Sequence, residues 1–376
     1  MTAPLRTSQE KQEFEEYIKA LFRETSEADL LNKIGDLRVP QPYRIRNKVL
    51  YSREEPALIF QKLASKGRIQ KISENSNVYI YSKTVGRNLP REVSVAFYIS
   101  SFDVHDISAR VQSLIAICKR DQWKLARRLV KSLYPKLVPI LLSQHELIHC
   151  VRKLNQRTEE IIHVKAISGK ESITELDGKK IKSVREWTNE ELDRAIETIQ
   201  DRSQKITSIE IEFFPSIAGY PHVRPSATCK IQNDGEIEVS GSYRTVHDAV
   251  VKQVAQIGEG KLGFYSKRGL REARYTPRPL AINYSKPIFS DIKIVRDFVK
   301  VLTSYPHSMH AVEHGNPYAH LKITDFFDGS SFDIWATLPN QIAMIPGLKA
   351  TEAAFERLIH YVFDVFREGE VTDYGS

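Results

Sequence analysis

Residues 145–149 read HELIH, a pattern able to hold a metal and activate water. On a helix, His145 and His149 stand one turn apart on one face and can share a zinc ion. Glu146 beside them could then take a proton from metal-bound water as a general base. The flanks LLSQHELIHCV carry no other charge, and Pro139 a few residues upstream suits a helix start.

The pattern resembles the zincin motif over about ten of the 376 residues. The metzincin continuation would place Gly at 152 and His at 155, where Arg152 and Asn155 stand. A catalytic zinc needs three protein ligands besides water. Glu159, Glu160, His163, Glu190 and Glu191 are the available third ligands, none in a distinctive context. Arg152 and Lys153 oppose a bound cation. This reading gives a zinc-dependent hydrolase with His145 and His149 as ligands and Glu146 as catalytic base. The competing reading is a helix with two surface histidines.

A second metal candidate is the group His307, His310, His314 and His320 with Glu313 among them. On a strand His310 and His314 face one side and His307 the other, so a hairpin decorated with histidines accounts for them better. Asp325, Asp328 and Asp333 nearby could serve a nuclease-like site, but FFDGSS also explains two of them by turn chemistry.

The stretch KRDQWKLARRLVKSLYPK, residues 119–136, packs seven cations and one acid into eighteen positions. At 100° per residue, Arg120, Lys124, Arg127, Arg128 and Lys131 fall within roughly a third of the circumference. Leu125, Ala126, Leu129, Val130 and Leu133 cover the opposite side. Cations three and four apart repel one another, and an anion lying across the row would relieve that repulsion. A solvated helix face is the bland alternative.

Further basic residues sit in EGKLGFYSKRGLREARYTPRP, 258–278, which reads as a loop. Lys261, Lys267, Arg268, Arg271, Arg274 and Arg278 there interleave with Phe264, Tyr265 and Tyr275, a mixture that suits single-stranded nucleic acid. GKLG is not a phosphate loop, since GxxxxGK[ST] occurs nowhere in the chain. Arg44, Arg46, Lys48, Lys66, Arg68 and Lys71 extend the basic character toward the N-terminus.

Composition narrows the classes. At 41% hydrophobic and 27% charged, the chain has an ordinary globular balance and room for two or three domains. Cys118, Cys150 and Cys229 form no CxxC pair, which argues against a disulfide framework and points to a reducing compartment. The N-terminal residues lack the apolar run of a secretory signal. LVPILL, 137–142, falls far short of the ~20 residues that span a bilayer. Cytoplasm is the expected location, or the nucleus in a eukaryote. The net charge of +8 is unevenly spread: residues 37–157 hold 23 Lys and Arg against eight Asp and Glu, a net +15. Such a block is the footprint of a polyanion binder.

The elements that must position these residues read as α+β, with antiparallel β-sheets flanked by helices. Thr7 with Glu10 forms a capping box for an opening helix, and Ser26 with Asp29 repeats the signal. Residues 39–53 read as an extended basic connection, and helices followed by a basic β-hairpin are compatible with a winged helix. Helix, three strands and helix then recur: 54–66, 68–73, 77–84 and 92–100, with a helix beginning near Asp106. The second set is 189–202 (capped by Thr188 with Glu191), 207–214, 227–232, 236–243 and 246–257. The third is 291–303, 310–314, 319–325, 331–338 and 351–367. Asn233-Asp234-Gly235 and Asp328-Gly329 mark tight turns. Three α-β-β-β-α units account for this order, with polar 155–187 and Pro-rich 270–289 as linkers. The domains expected are 1–157, basic; 158–270; and 271–376.

Together these features favour a nucleic-acid-binding protein working through its cationic N-terminal domain and the 258–278 loop, within a larger assembly and without a cofactor. Its ligand would be the phosphate backbone, whether DNA or RNA, alongside other protein subunits and no membrane. Catalysis is not expected. The zinc hydrolase is the alternative, and a non-catalytic interaction subunit is the third reading.

Overall fold

A computed structural model describes residues 7–24, 27–61, 68–72, 77–85, 90–102, 110–154, 159–171, 184–186, 204–215, 224–268 and 277–375. They form an α+β protein with two antiparallel sheets, as expected. The described residues fall into two compact units. One draws on 1–169, 182–199 and 206–259, the other on 170–181, 200–205 and 260–376.

The first unit opens with α1 (Ser8–Glu24) and α2 (Glu27–Asp36). The Thr7 box closes as expected: Thr7 N donates to Glu10 Oε2 at 2.9 Å and Glu10 N to Thr7 Oγ1 at 3.1 Å. The basic connection that follows is instead a strand, β1 (Arg44–Ser52), buried along nearly its whole length. After α3 (Pro56–Gln61) come β2 (Arg68–Lys71), β3 (Val78–Val85), β4 (Arg91–Ser101) and β5 (Arg110–Cys118). The expected helix near Asp106 is therefore corrected. RVQSLIAIC is a run of mostly apolar residues buried on both faces, which suits a central strand and offers a helix no polar side.

Next are α4 (Arg120–Ser132), β6 (Leu137–Pro139), α5 (Gln144–Leu154), β7 (Ile161–Glu171), β8 (Val184–Glu186), β9 (Gln204–Phe214), β10 (Ala227–Gln232) and β11 (Glu236–Gly241). Strand order in the sheet is β2-β3-β4-β5-β1-β11-β10-β9-β7-β8, with β6 also on β1. The first and second sets of strands thus join one sheet. The β2–β3 hairpin is the end of that sheet rather than the wing of a winged helix. The Thr188 cap and the 189–202 helix lie outside the described residues, as does Ser26.

One face of this sheet is a core beneath α4. Trp123, Leu125, Ala126, Leu129 and Val130 pack with Leu50, Tyr79, Phe97, Ile99, Leu114 and Ala116. The β10–β11 turn is tied to the chain next to β6. Gly235 has φ +73°, its carbonyl accepts from Val49 N at 3.1 Å, and Asn233 O accepts from Leu142 N at 2.7 Å. A Cβ at Gly235 would lie 2.4 Å from Ile140 O, so the site excludes any side chain as well as favouring glycine's backbone.

Directly opposed residues share a sheet face. Arg46 opposes Glu238, Glu238 opposes Lys230, and Lys230 opposes Glu210. Lys165 on β7 then stands 3.1 Å from Glu210 and 3.4 Å from Glu212. Positive and negative charges alternate across five strands. At the β1 end the ladder is buried: Arg46 lies 2.7 Å from Glu238 and 3.4 Å from Glu236, whose side chain is 2% exposed.

A short helix α6 (Tyr243–Val246), a π-helical turn (His247–Val251) and α7 (Lys252–Ser266) run on from β11. The second unit contains β12 (Leu280–Asn283), α8 (Ile292–Thr303), β13 (Ser308–His314), β14 (Ala319–Asp325), β15 (Ser331–Leu338), β16 (Gln341–Pro346), α9 (Glu352–Val365) and β17 (Glu370–Asp373). Its sheet order is β13-β14-β15-β16-β12-β17. Phe298, Leu302, Phe355, Leu358 and Val362 of the helices pack against Leu321, Ile323, Phe332, Ile334 and Met344. The linkers expected at 155–187 and 270–289 contain β7 and β12.

Glu236→Ala leaves Arg46 with one anionic partner fewer in a buried setting, and an expected loss of about 3 kcal/mol in unfolding free energy by urea titration follows. The double change Arg46→Met, Glu236→Leu is expected to recover part of that loss.

Candidate nucleic-acid interface

The residues of α4 divide cleanly. Gln122 Oε1 accepts from Lys119 N at 2.9 Å and fixes the first turn, while Gln122 Nε2 donates to Ser94 O on β4. With the apolar arc held in the core, Arg120, Lys124, Arg127, Arg128 and Lys131 are all exposed on the far side. This is the arc expected from the spacing. Lys124 stands 3.3 Å from Asp121. Arg127 reaches Asp234 at 3.6 Å and Glu236 at 3.4 Å, joining the buried end of the ladder. Among the described residues, Arg120, Arg128 and Lys131 have no carboxylate within ion-pair distance.

The basic block is less available than its net charge implies. Arg46 and Lys48 are buried, and Lys48 Nζ donates to Asp234 Oδ2 at 2.9 Å and Asp234 O at 2.8 Å. Arg44 pairs with Glu238 at 3.8 Å, Lys119 with Glu15 at 2.9 Å, and Arg110 with Glu55. Arg68 and Lys71 are exposed on β2, and Lys66 lies outside the described residues. Burial alone would raise the Asp234 carboxyl, but Lys48 and Arg127 more than reverse that and hold it below the ordinary carboxylate range.

The second basic stretch is corrected in its first half. Residues 258–266 belong to α7, not to a loop. Lys261 lies 3.3 Å from the buried Glu356, and Tyr265 stacks on Phe355 inside the second core with Phe264 packed against it. Arg268 is buried over the Phe264 ring, 3.6 Å from its centroid, and donates to Phe264 O and to Asp373. These groups are engaged internally because the helix turns its aromatics inward. Lys267 is exposed. Arg271, Arg274 and Tyr275 lie outside the described residues, and Arg278 stands on the exposed approach to β12.

HELIH lies on α5 with both histidines exposed. The helix starts at Gln144 rather than at Pro139, which ends β6. Glu146 closes a capping box that sequence reading missed: Ser143 N donates to Glu146 Oε2 at 2.8 Å and Glu146 N to Ser143 Oγ at 3.1 Å. The signal S-x-x-E was present at 143–146. Of the third-ligand candidates, Glu160 accepts from Ser226 Oγ at 3.0 Å and His163 packs on Phe214 at 4.7 Å. Glu159 is exposed, while Glu190 and Glu191 lie outside the described residues. Among the described residues no group of three or more His, Cys, Asp or Glu is placed to hold a metal. The three cysteines are buried and form no disulfide among the described residues, and burial pushes the Cys118 thiol up to about 12, far from a nucleophile's range.

The histidine group lies on the β13–β14 hairpin and is dispersed. His307 packs against Phe327, His314 stacks on Tyr318 at 4.1 Å, and His320 stacks on Trp335 at 3.9 Å with Nε2 3.3 Å from Asp333. His310 is exposed. Turn chemistry accounts for the other two aspartates: Asp325 Oδ1 accepts from Phe327 N and Asp328 Oδ1 from Ser330 N.

No helix among the described residues is long and apolar enough to cross a membrane. No family model matches the chain, and no curated protein is similar to it in sequence. Among solved structures it aligns with the crystal structure of the di-domain ARO/CYC BexL from the BE-7585A biosynthetic pathway, at 10% identity and a TM-score of 0.12. The alignment covers 59% of this chain and 90% of that one, and a likeness so slight carries no argument.

Two outcomes are expected. In Asp234→Asn the turn persists but the charge is lost, so unfolding free energy at pH 7 falls below that of the unaltered protein. Because the native carboxyl titrates below its unfolded value near ~3.9, its contribution is present above that pH and fades as the pH drops through the native value. The two urea midpoints therefore converge on acidification below about pH 4. In Glu146→Ala, loss of the capping box costs about 1 kcal/mol. Zinc per chain stays near zero before and after the change; one zinc, lost in a His145→Ala, His149→Ala variant, would reinstate the metal site.

Proposed function

We propose that the protein binds nucleic acid through the exposed face of α4. One observation carries this reading: a rigid helix, fixed through its apolar arc, holds five cations on its outer face, and three of them lack a carboxylate partner among the described residues. Like charges at spacings of three and four destabilise an isolated helix by a few tenths of a kcal/mol per pair. A row of phosphates converts that repulsion into attraction and releases counterions. Arg127 holds α4 to Asp234 and Glu236, while Arg120, Lys124, Arg128 and Lys131 form the contact row.

The second basic stretch contributes less to this reading than its composition implied, because Arg268 and Lys261 are engaged with Asp373 and Glu356. Lys267 remains a candidate contact.

The test is binding of mixed-sequence labelled oligonucleotides, followed by anisotropy across a salt series. In the variant with Arg120, Lys124, Arg128 and Lys131 all changed to Ala, Kd is expected to rise at least about tenfold near 0.1 M salt. The slope of log K against log salt becomes shallower by about three to four. Unchanged affinity and slope in a variant with native circular dichroism would remove α4 from this role.

A further inference from the structure

We propose, resting on the nucleic-acid reading above, that the α4 face is built for the backbone of a double helix and not for single strands. What surrounds the cations supports this choice. A single-strand site combines charge with aromatic faces on which bases stack. Here the aromatic residue within α4, Trp123, is 2% exposed and belongs to the core. Tyr79, Tyr81, Phe97 and Tyr98 on the neighbouring strands β3 and β4 are buried as well. Among the described residues of α4, β3 and β4, no large aromatic side chain is exposed.

Reading of adenine edges is equally ill served. Asn and Gln are the side chains that pair with adenine, and the single one on α4, Gln122, spends its amide on Lys119 N and Ser94 O. What the helix offers is charge at fixed spacing. From Arg120 to Lys131 the row runs eleven residues, about 16 Å along the axis. That exceeds the ~12 Å width of a major groove, so the two ends of the row can reach phosphates on both rims. A single strand has no second rim, and its flexible backbone gains little from a rigid row. The shared chemistry is a duplex phosphate backbone, and it belongs to DNA and RNA duplexes alike.

The experiment measures the intact chain against four probes of equal length and mixed sequence: duplex DNA, duplex RNA, and each as a single strand. Either duplex is expected to bind at least about tenfold more tightly than both single strands at the same salt, with little change between unrelated sequences. Single strands that bind as well as duplexes overturn the inference and leave the nucleic-acid reading standing. Failure of all four probes removes that reading and the inference with it. Removal of one cation at a time, Lys124→Gln and Arg128→Gln, guards against misfolding of the quadruple variant. Each is expected to make the duplex slope shallower by about 0.9, and slopes that do not move overturn the assignment to α4.

Discussion

The first unit hangs on one strand that is paired along both edges. β1 lies against β5 through nine residue pairs, from Arg44 opposite Cys118 to Ser52 opposite Arg110. Its other edge takes β11 at Ile45–Lys48 and β6 at Leu50–Ser52. β5 and β11, which flank it, are separated in sequence by more than a hundred residues, and β1 alone makes them one sheet. Long-range pairing of this kind is entropically costly to assemble and is recovered only when the distant partner arrives. The basic segment therefore depends on distant sequence, because the partners that neutralise Arg46 and Lys48 reside on the β10–β11 hairpin.

That dependence also sorts the charges. Cations pointing from β1 meet acidic side chains of β11 and of the β10–β11 turn and are absorbed into the sheet. Cations on α4 have a core behind them and solvent in front. A net charge counted along the chain merges these two populations, whereas only the second presents a field outward. Arg127 belongs to both, since its guanidinium reaches back to Asp234 and Glu236 from an exposed helix face.

Much of this fold was legible where local patterns and tertiary demands agree. Alternation at 319–325 and 331–338 gave β14 and β15 with their bounds, Asn233-Asp234-Gly235 gave a turn, and the two-sided character of 120–131 gave a helix with its buried and exposed arcs. Illegible segments were those whose environment is supplied from afar. RIRNKVLYS reads as an extended basic connection because its charges are neutralised by residues some 190 positions away. RVQSLIAIC has no polar face because both of its faces are covered. The contact row of the candidate site could be read locally. The internal engagement of Lys261 and Arg268 could not, since Glu356 and Asp373 are remote in sequence.

The turn glycine has an evolutionary consequence. Charge ladders can drift, one ion pair being exchanged for another or for apolar packing, so the alternating row across β1, β11, β10 and β9 can vanish among descendants without loss of the fold. Position 235 has no such freedom. Its left-handed backbone disfavours most residues, and the Ile140 carbonyl occupies the space any side chain would need. Gly241, with φ +94° and the Ser226 carbonyl equally close, is held in the same way, so in a lineage whose other residues have diverged beyond comparison these two glycines would be among the last shared letters, and a place from which to begin an alignment.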